Sequence, residues 1–138
     1  MTAKEFLQRG WKVDLEIREL LQAKEEAFHR ALHAGGGDGE RVQQSVDNRQ
    51  ENRNVEYANY SLHIDRKIDE LCAIKDEILG IIMQVEDSAL RTVLIARYIN
   101  FKSWESIMVD MGYSWRQVMR MRARALAEVE QKMAHNGT

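Results

Sequence analysis

No proline occurs anywhere in the 138 residues. Proline kinks or ends helices and punctuates loops, so its absence permits long, uninterrupted helices. Hydrophobic periodicity points the same way. From Thr2 to about His33, the residues Val13, Ile17, Leu20, Ala27 and Ala31 recur at intervals of three, four or seven, with Glu, Lys and Arg between them. That is the spacing of an amphipathic helix. Thr2 and Glu5 have the spacing of a capping box, which predicts a helix starting almost at the first residue. Gly35, Gly36, Gly37 and Gly39 then predict its end.

Between Gly35 and about Asn54 the chain is polar, with Val42 and Val46 as its apolar residues. It reads as a flexible loop whose far end can already be helical. Asn48 with Glu51 would cap an early start, and Asn52 or Asn54 a later one; the spacing does not choose between them. A second long helix is expected from about Val55 to Glu86. Ile64, Ile68, Leu71, Ile78, Ile82 and Val85 form its heptad seam, with Lys75 at the one polar position. Gly10 and Gly80 lie inside helical stretches, where glycine is a weak helix former.

The expected fold is therefore all-α. Residues 1–86 form a long antiparallel helical hairpin, a coiled-coil-like arm with a loop over about 35–54, and residues 87–138 form a second module. A two-helix arm buries little apolar surface alone, so it must pack on that module or pair with a second chain. The Ile64-to-Val85 seam is longer than a small module can cover, and the first helix offers only Ala27 and Ala31 where larger residues would pack better. A homodimer through residues 1–86 is the expectation.

Charge is divided unevenly. Residues 1–87 hold 12 Lys/Arg against 18 Asp/Glu, a net of −6, whereas residues 88–138 hold 8 against 4, a net of +4. An acidic scaffold carrying a basic binding module would show this asymmetry. The single cysteine, Cys72, allows no intrachain disulfide and fits a reducing compartment. The first residues lack a signal-peptide apolar run, and no apolar run approaches membrane-spanning length. A cytoplasmic protein without membrane contact is expected.

The basic region has its own punctuation. Asp87 can cap a helix carrying Leu90, Val93, Leu94 and Tyr98, and Asn100 with Phe101 breaks it. Ser103 can cap a short helix with Trp104, Ile107, Met108 and Met111 as apolar positions. Gly112 ends that helix by supplying a positive φ, and Ser114 caps a last helix reaching roughly Met133. A short helix, a glycine turn and a second capped helix make the helix-turn-helix layout. On the last helix Val118, Met121, Ala125 and Val129 face inward, with Arg122 and Leu126 flanking. Arg116, Arg120 and Arg124 face outward with Gln117 near them, and such side chains can reach base edges and phosphates. Lys102, Ser103 and Ser114 lie at helix N-termini, where phosphates are favoured.

The stretch SWESIMVDMGYSWRQVMRMRARALAEV (103–129) resembles the fourth conserved region of bacterial sigma factors. The matching features are the Ser103 cap, an acidic residue followed by Ile107, Gly112, the Ser114 cap, Val118, and the Ala125–Leu126 pair. ALRTVLIARYINFKSW resembles the helix that precedes it there. Nearly the whole chain is similar to small phage and prophage proteins related in pattern to ArpU-type late transcriptional regulators. That resemblance implies a three-helix DNA-binding module in a transcriptional regulator. Its arm would either dimerise the protein or engage RNA polymerase. Sigma factors usually carry polar or basic groups where this chain has Trp115 and Met119, so their promoter preference is not carried over.

Other signals are weaker. His29, His33, His63 and Cys72 could be imagined as zinc ligands, but nothing makes them converge. The seven methionines read as core filler. No nucleophile elbow, P-loop, dinucleotide fingerprint or HExxH occurs, so no enzyme and no cofactor are expected. Sequence-specific double-stranded DNA binding by a phage-type regulator is the leading reading. DNA recognition in packaging, as by a small terminase subunit, and a structural helical assembly without DNA binding are the alternatives.

Overall fold

The computed structural model describes residues 1–33 and 43–137, and every element among them is helical. In chain order these are α1 (Ala3–Leu7), α2 (Arg9–His33), α3 (Gln43–Ile82), α4 (Ser88–Leu94) continued by a π-turn (Ile95–Ile99), α5 (Trp104–Met111) and α6 (Trp115–Asn136). The all-α expectation holds. The expected glycine stop at Gly35–Gly39 and Val42 lie outside the described residues.

Three local expectations are corrected. The helix from Thr2 is not continuous. The capping box forms, with Glu5 N–H donating to Thr2 Oγ1 at 3.2 Å and Thr2 N–H to Glu5 Oε2 at 3.4 Å, but α1 ends at Leu7. Tertiary contact sets its direction: Ala3, Phe6 and Leu7 are buried, and Ala3 N–H donates to Glu130 Oε2 on α6 at 2.9 Å. Next, α3 is already helical at Gln43, ahead of all three candidate caps. Asn48, Asn52 and Asn54 sit inside it among Gln, Arg and Glu, so their modest propensity cost is carried by good helix formers. Finally, α3 ends at Ile82 rather than Glu86, and its seam is Ile64, Leu71, Ile74, Ile78 and Ile82, continued by Val85 in the following turn, all buried, whereas Ile68 is 42% exposed. Ile74 takes the place in the seam expected for Lys75.

The chain divides into two compact units, Met1–Lys12 with Leu71–Thr138, and Val13–Glu70. Residues 1–12 and 71–86 therefore share a unit with the C-terminal helices.

In the unit Val13–Glu70, α2 and α3 meet antiparallel. Glu16 pairs with Lys67 at 3.2 Å, Phe28 meets Tyr57 at 6.0 Å between ring centroids, and Arg30 pairs with Glu56 at 3.5 Å. Arg53 donates to the Ala31 carbonyl at 3.4 Å. Residue numbers rise along one helix as they fall along the other. Val13, Ile17, Ala27 and Ile64 are buried between them, as the periodicity predicts.

The other unit has the denser core. Leu7, Ile78, Ile82, Val85, Leu90, Val93, Leu94, Ile107, Val118 and Val129 are almost wholly enclosed. Each short helix starts where a side chain satisfies free backbone amides. Asp87 Oδ1 accepts from Ala89 and Leu90, Ser103 Oγ from Ser106, and Ser114 Oγ from Gln117. Arg91 braces the connection between α3 and α4 by donating to the Val85 and Glu86 carbonyls at 2.7 and 2.8 Å. The run 88–99 breaks where expected: Asn100 N–H returns to the Ile95 carbonyl, and Phe101 takes φ 58°. Gly112 adopts φ 67°, and its N–H donates to the Met108 and Val109 carbonyls, so the chain turns within two residues into α6.

Candidate nucleic-acid interface

The α6 helix has two chemically opposite sides. Val118, Ala125 and Val129 are fully buried on one, while Arg116, Arg120 and Arg124 are exposed on the other. Four-residue spacing stacks the three guanidiniums on successive turns. The helix is anchored at its N-terminus and along its inner side. The Ser114–Gln117 capping box fixes its N-terminus, and contacts with α4, α5 and α1 fix its inner side.

Several expected contact residues have intramolecular duties. Gln117 Oε1 accepts the Ser114 N–H at 2.8 Å, so this amide is oriented by the cap and one of its oxygen lone pairs is already engaged. The hydroxyls of Ser103 and Ser114 serve as caps. Lys102 Nζ is 3.0 Å from Asp110 Oδ2, and Arg124 reaches Asp87 Oδ2 at 3.8 Å. Both pairs are exposed, and surface pairs of this kind are worth only about 0–1 kcal/mol, so a phosphate could replace the carboxylate at little cost. The structure thus collects Arg116, Arg120 and Arg124 on one face and places Lys102 and Ser103 at the start of a different helix, α5.

A second set of cations was not foreseen from the sequence. Trp104, half-buried rather than wholly enclosed, lies between Arg97 and Arg122, whose guanidinium carbons are 5.2 and 5.6 Å from its ring centroid. Tyr98 meets the same ring edge-on at 6.5 Å, and Arg97 also lies 5.7 Å from the Trp11 ring. Arg97 donates to the Lys102 carbonyl at 2.9 Å, which ties the loop before α5 to this stack. Burial pushes the Tyr98 hydroxyl above its ordinary pKa, against the pull of Arg122 and Arg97. Arg122 is therefore a packing arginine, unlike the three outward ones. Its place on the apolar flank of the helical wheel was the available signal, since a cation there needs a face to rest on.

Trp115 opens α6 with 48% of its surface exposed, and Met119 one turn later is half-buried. Among the described residues, no group of three or more His, Cys, Asp or Glu is placed to hold a metal ion; the side chain of His33 lies outside them. No described helix is long and apolar enough to cross a membrane.

No family model, no curated protein and no solved structure matches this chain.

Proposed function

We propose that α5, the Gly112 turn and α6 are a helix-turn-helix that binds double-stranded DNA, with α6 as the helix that enters the major groove. One observation carries the reading: three exposed arginines on successive turns of a helix whose other side is locked into the core. Such a stripe matches the spacing of phosphates and guanine edges along a groove. The net positive charge of residues 88–138 supports it, since charge clustered on one module is what a polyanion partner selects. Arg116 and Arg120 are the base and phosphate readers, Arg124 a phosphate contact released from Asp87, and Lys102 with Ser103 a contact at the start of α5.

The resemblance to phage and prophage regulators makes transcriptional control the most economical biological role, with the protein acting by binding rather than by catalysis. Two copies acting through their N-terminal helices would place two reading helices on paired half-sites. Such an arm could equally meet RNA polymerase.

The test is a duplex-binding titration of the full chain and of the Arg116→Ala/Arg120→Ala variant at matched salt. Each lost bidentate base contact should cost about 1–3 kcal/mol. Equal affinity of variant and parent would remove α6 as the reading helix.

A further inference from the structure

The unit Val13–Glu70 closes its two helices unequally. Along one side of their contact, ion pairs join them, Glu16 to Lys67 and Arg30 to Glu56. Along α2 at another angle lie Leu21, Lys24, Glu25 and Phe28, spaced i, i+3, i+4 and i+7 and so sharing one face. With Tyr57 they line an open groove of about 230 Å³. Leu21 is 47% and Phe28 45% exposed, and Leu32 extends the same stripe one turn further. The expected reason for a second chain was an uncovered seam from Ile64 to Val85, but Ile64, Leu71, Ile78, Ile82 and Val85 are buried within the chain and Ile68 alone of that seam is exposed. Leu21, Phe28 and Leu32 leave a contiguous apolar stripe open on this face of α2.

The order of these four residues identifies the occupant. Read forward they are apolar, cation, anion, apolar; read backward they are apolar, anion, cation, apolar. A second copy of α2 laid antiparallel, with its two-fold axis between residues 24 and 25, meets this face with its complement throughout. Leu21 of each protomer then faces Phe28 of its partner, and Lys24 faces Glu25, with every contact made twice. That is the condition for an isologous interface, in which one patch must complement itself. An unrelated helix would have no reason to find acid and base in this register.

We infer that this face of α2 is a homodimer interface, in which Leu21 and Phe28 supply the apolar contact and Lys24 and Glu25 set the register. It deepens the two-copy part of the proposed function and is independent of the DNA-binding part. The groups around the pair allow it. Lys24 Nζ now sits 4.7 Å from the Tyr57 ring, and Glu25 Oε1 lies 3.7 Å from His29 Nε2, both weak exposed contacts. Arg18, nearly two turns from the axis, is paired with Asp14 at 2.9 Å.

Sedimentation equilibrium of the full chain tests it. The parent should dimerise at micromolar concentration. Lys24→Glu and Glu25→Lys should each weaken self-association by about tenfold or more, because each sets like charges opposite one another twice. An equimolar mixture of those two variants should associate like the parent, since one chain then offers two acids and the other two bases. The double exchange K24E/E25K in one chain should restore association as well. Leu21→Asp should abolish it in every combination, with helicity by circular dichroism unchanged. A parent that stays monomeric at tens of micromolar overturns both the interface and the two-copy reading. A dimer indifferent to the single reversals, or a mixture that fails to recover, overturns this interface and leaves the two-copy reading in place. Loss of DNA binding with dimerisation intact would sink the DNA-binding proposal alone.

Discussion

The two compact units bury their apolar residues to very different depths. In Met1–Lys12 with Leu71–Thr138, ten large side chains are sealed almost completely, drawn from α1, α3, α4, α5, α6 and the turn after α3. Among the described residues of Val13–Glu70 only Val13, Ile17, Ala27 and Ile64 are buried apolar positions, while Leu15, Leu21, Phe28, Leu32, Val55, Tyr57, Leu62 and Ile68 remain substantially exposed. Geometry accounts for the difference. Several short helices crossing one another can enclose a residue on all sides, whereas two parallel cylinders shield only the line between them. The first unit can hold a surface in fixed geometry. The second has apolar surface to spare and is suited to being covered by another chain.

The sharpest way to break this comparison is to cut equivalent cavities in both units. Ile107→Ala, at a fully enclosed position, should cost about 2–5 kcal/mol, measured by urea unfolding. Ile17→Ala should cost clearly less, because its neighbourhood holds fewer buried side chains and can relax around the cavity. Equal losses would show that the two units are equally well packed. Trp104→Ala should fall at the lower end of the same range, since that ring is not fully enclosed, and it should also loosen the loop held by Arg97.

Two glycines sharpen the contrast at smaller magnitude. Gly112 sits at φ 67° with nothing within 4 Å of a built Cβ, so Gly112→Ala tests backbone strain alone and should destabilise by about 1 kcal/mol. Gly80 is helical, and a Cβ there would also meet open space. Gly80→Ala should stabilise by roughly 0.5–1 kcal/mol, because the helix loses only the entropy cost that glycine adds. A loss of stability at Gly80 would mean that the missing side chain makes room for a close neighbour.

What the sequence made legible follows the range of the interaction involved. Asp87, Ser103, Ser114 and Gly112 act within three residues of themselves, and each does in the structure what its local spacing predicts. Val118, Ala125 and Val129 were readable because they share one side of a single helix. Features that depend on a distant partner were not readable. The start of α1 is held by Glu130, more than a hundred residues away. The choice between Ile68 and Ile74 on α3 turns on about 100° of helical rotation per residue, which only the opposing helix can decide. The stack of Arg97, Trp104 and Arg122 joins three separate elements, and Gln117 was read as a base contact although its spacing from Ser114 equally suited the cap it makes. The candidate site therefore emerged from the sequence as outward arginines with Arg122 on the apolar flank, and the structure turns that placement into a division between exposed cations and cations packed on Trp104.

That division is the central claim, and the salt dependence of duplex binding tests it most directly because it requires no knowledge of the target sequence. Each arginine that neutralises a phosphate contributes about 0.9 to the slope of log affinity against log salt. The full chain should bind a random duplex at low salt, and the Arg116→Ala, Arg120→Ala and Arg124→Ala changes should each lower the slope by about one. Arg122→Met, which removes a cation resting on Trp104, should leave it unchanged. A full chain that does not bind duplex DNA at low salt, or a slope that falls as much for Arg122→Met as for the outward arginines, would contradict the account.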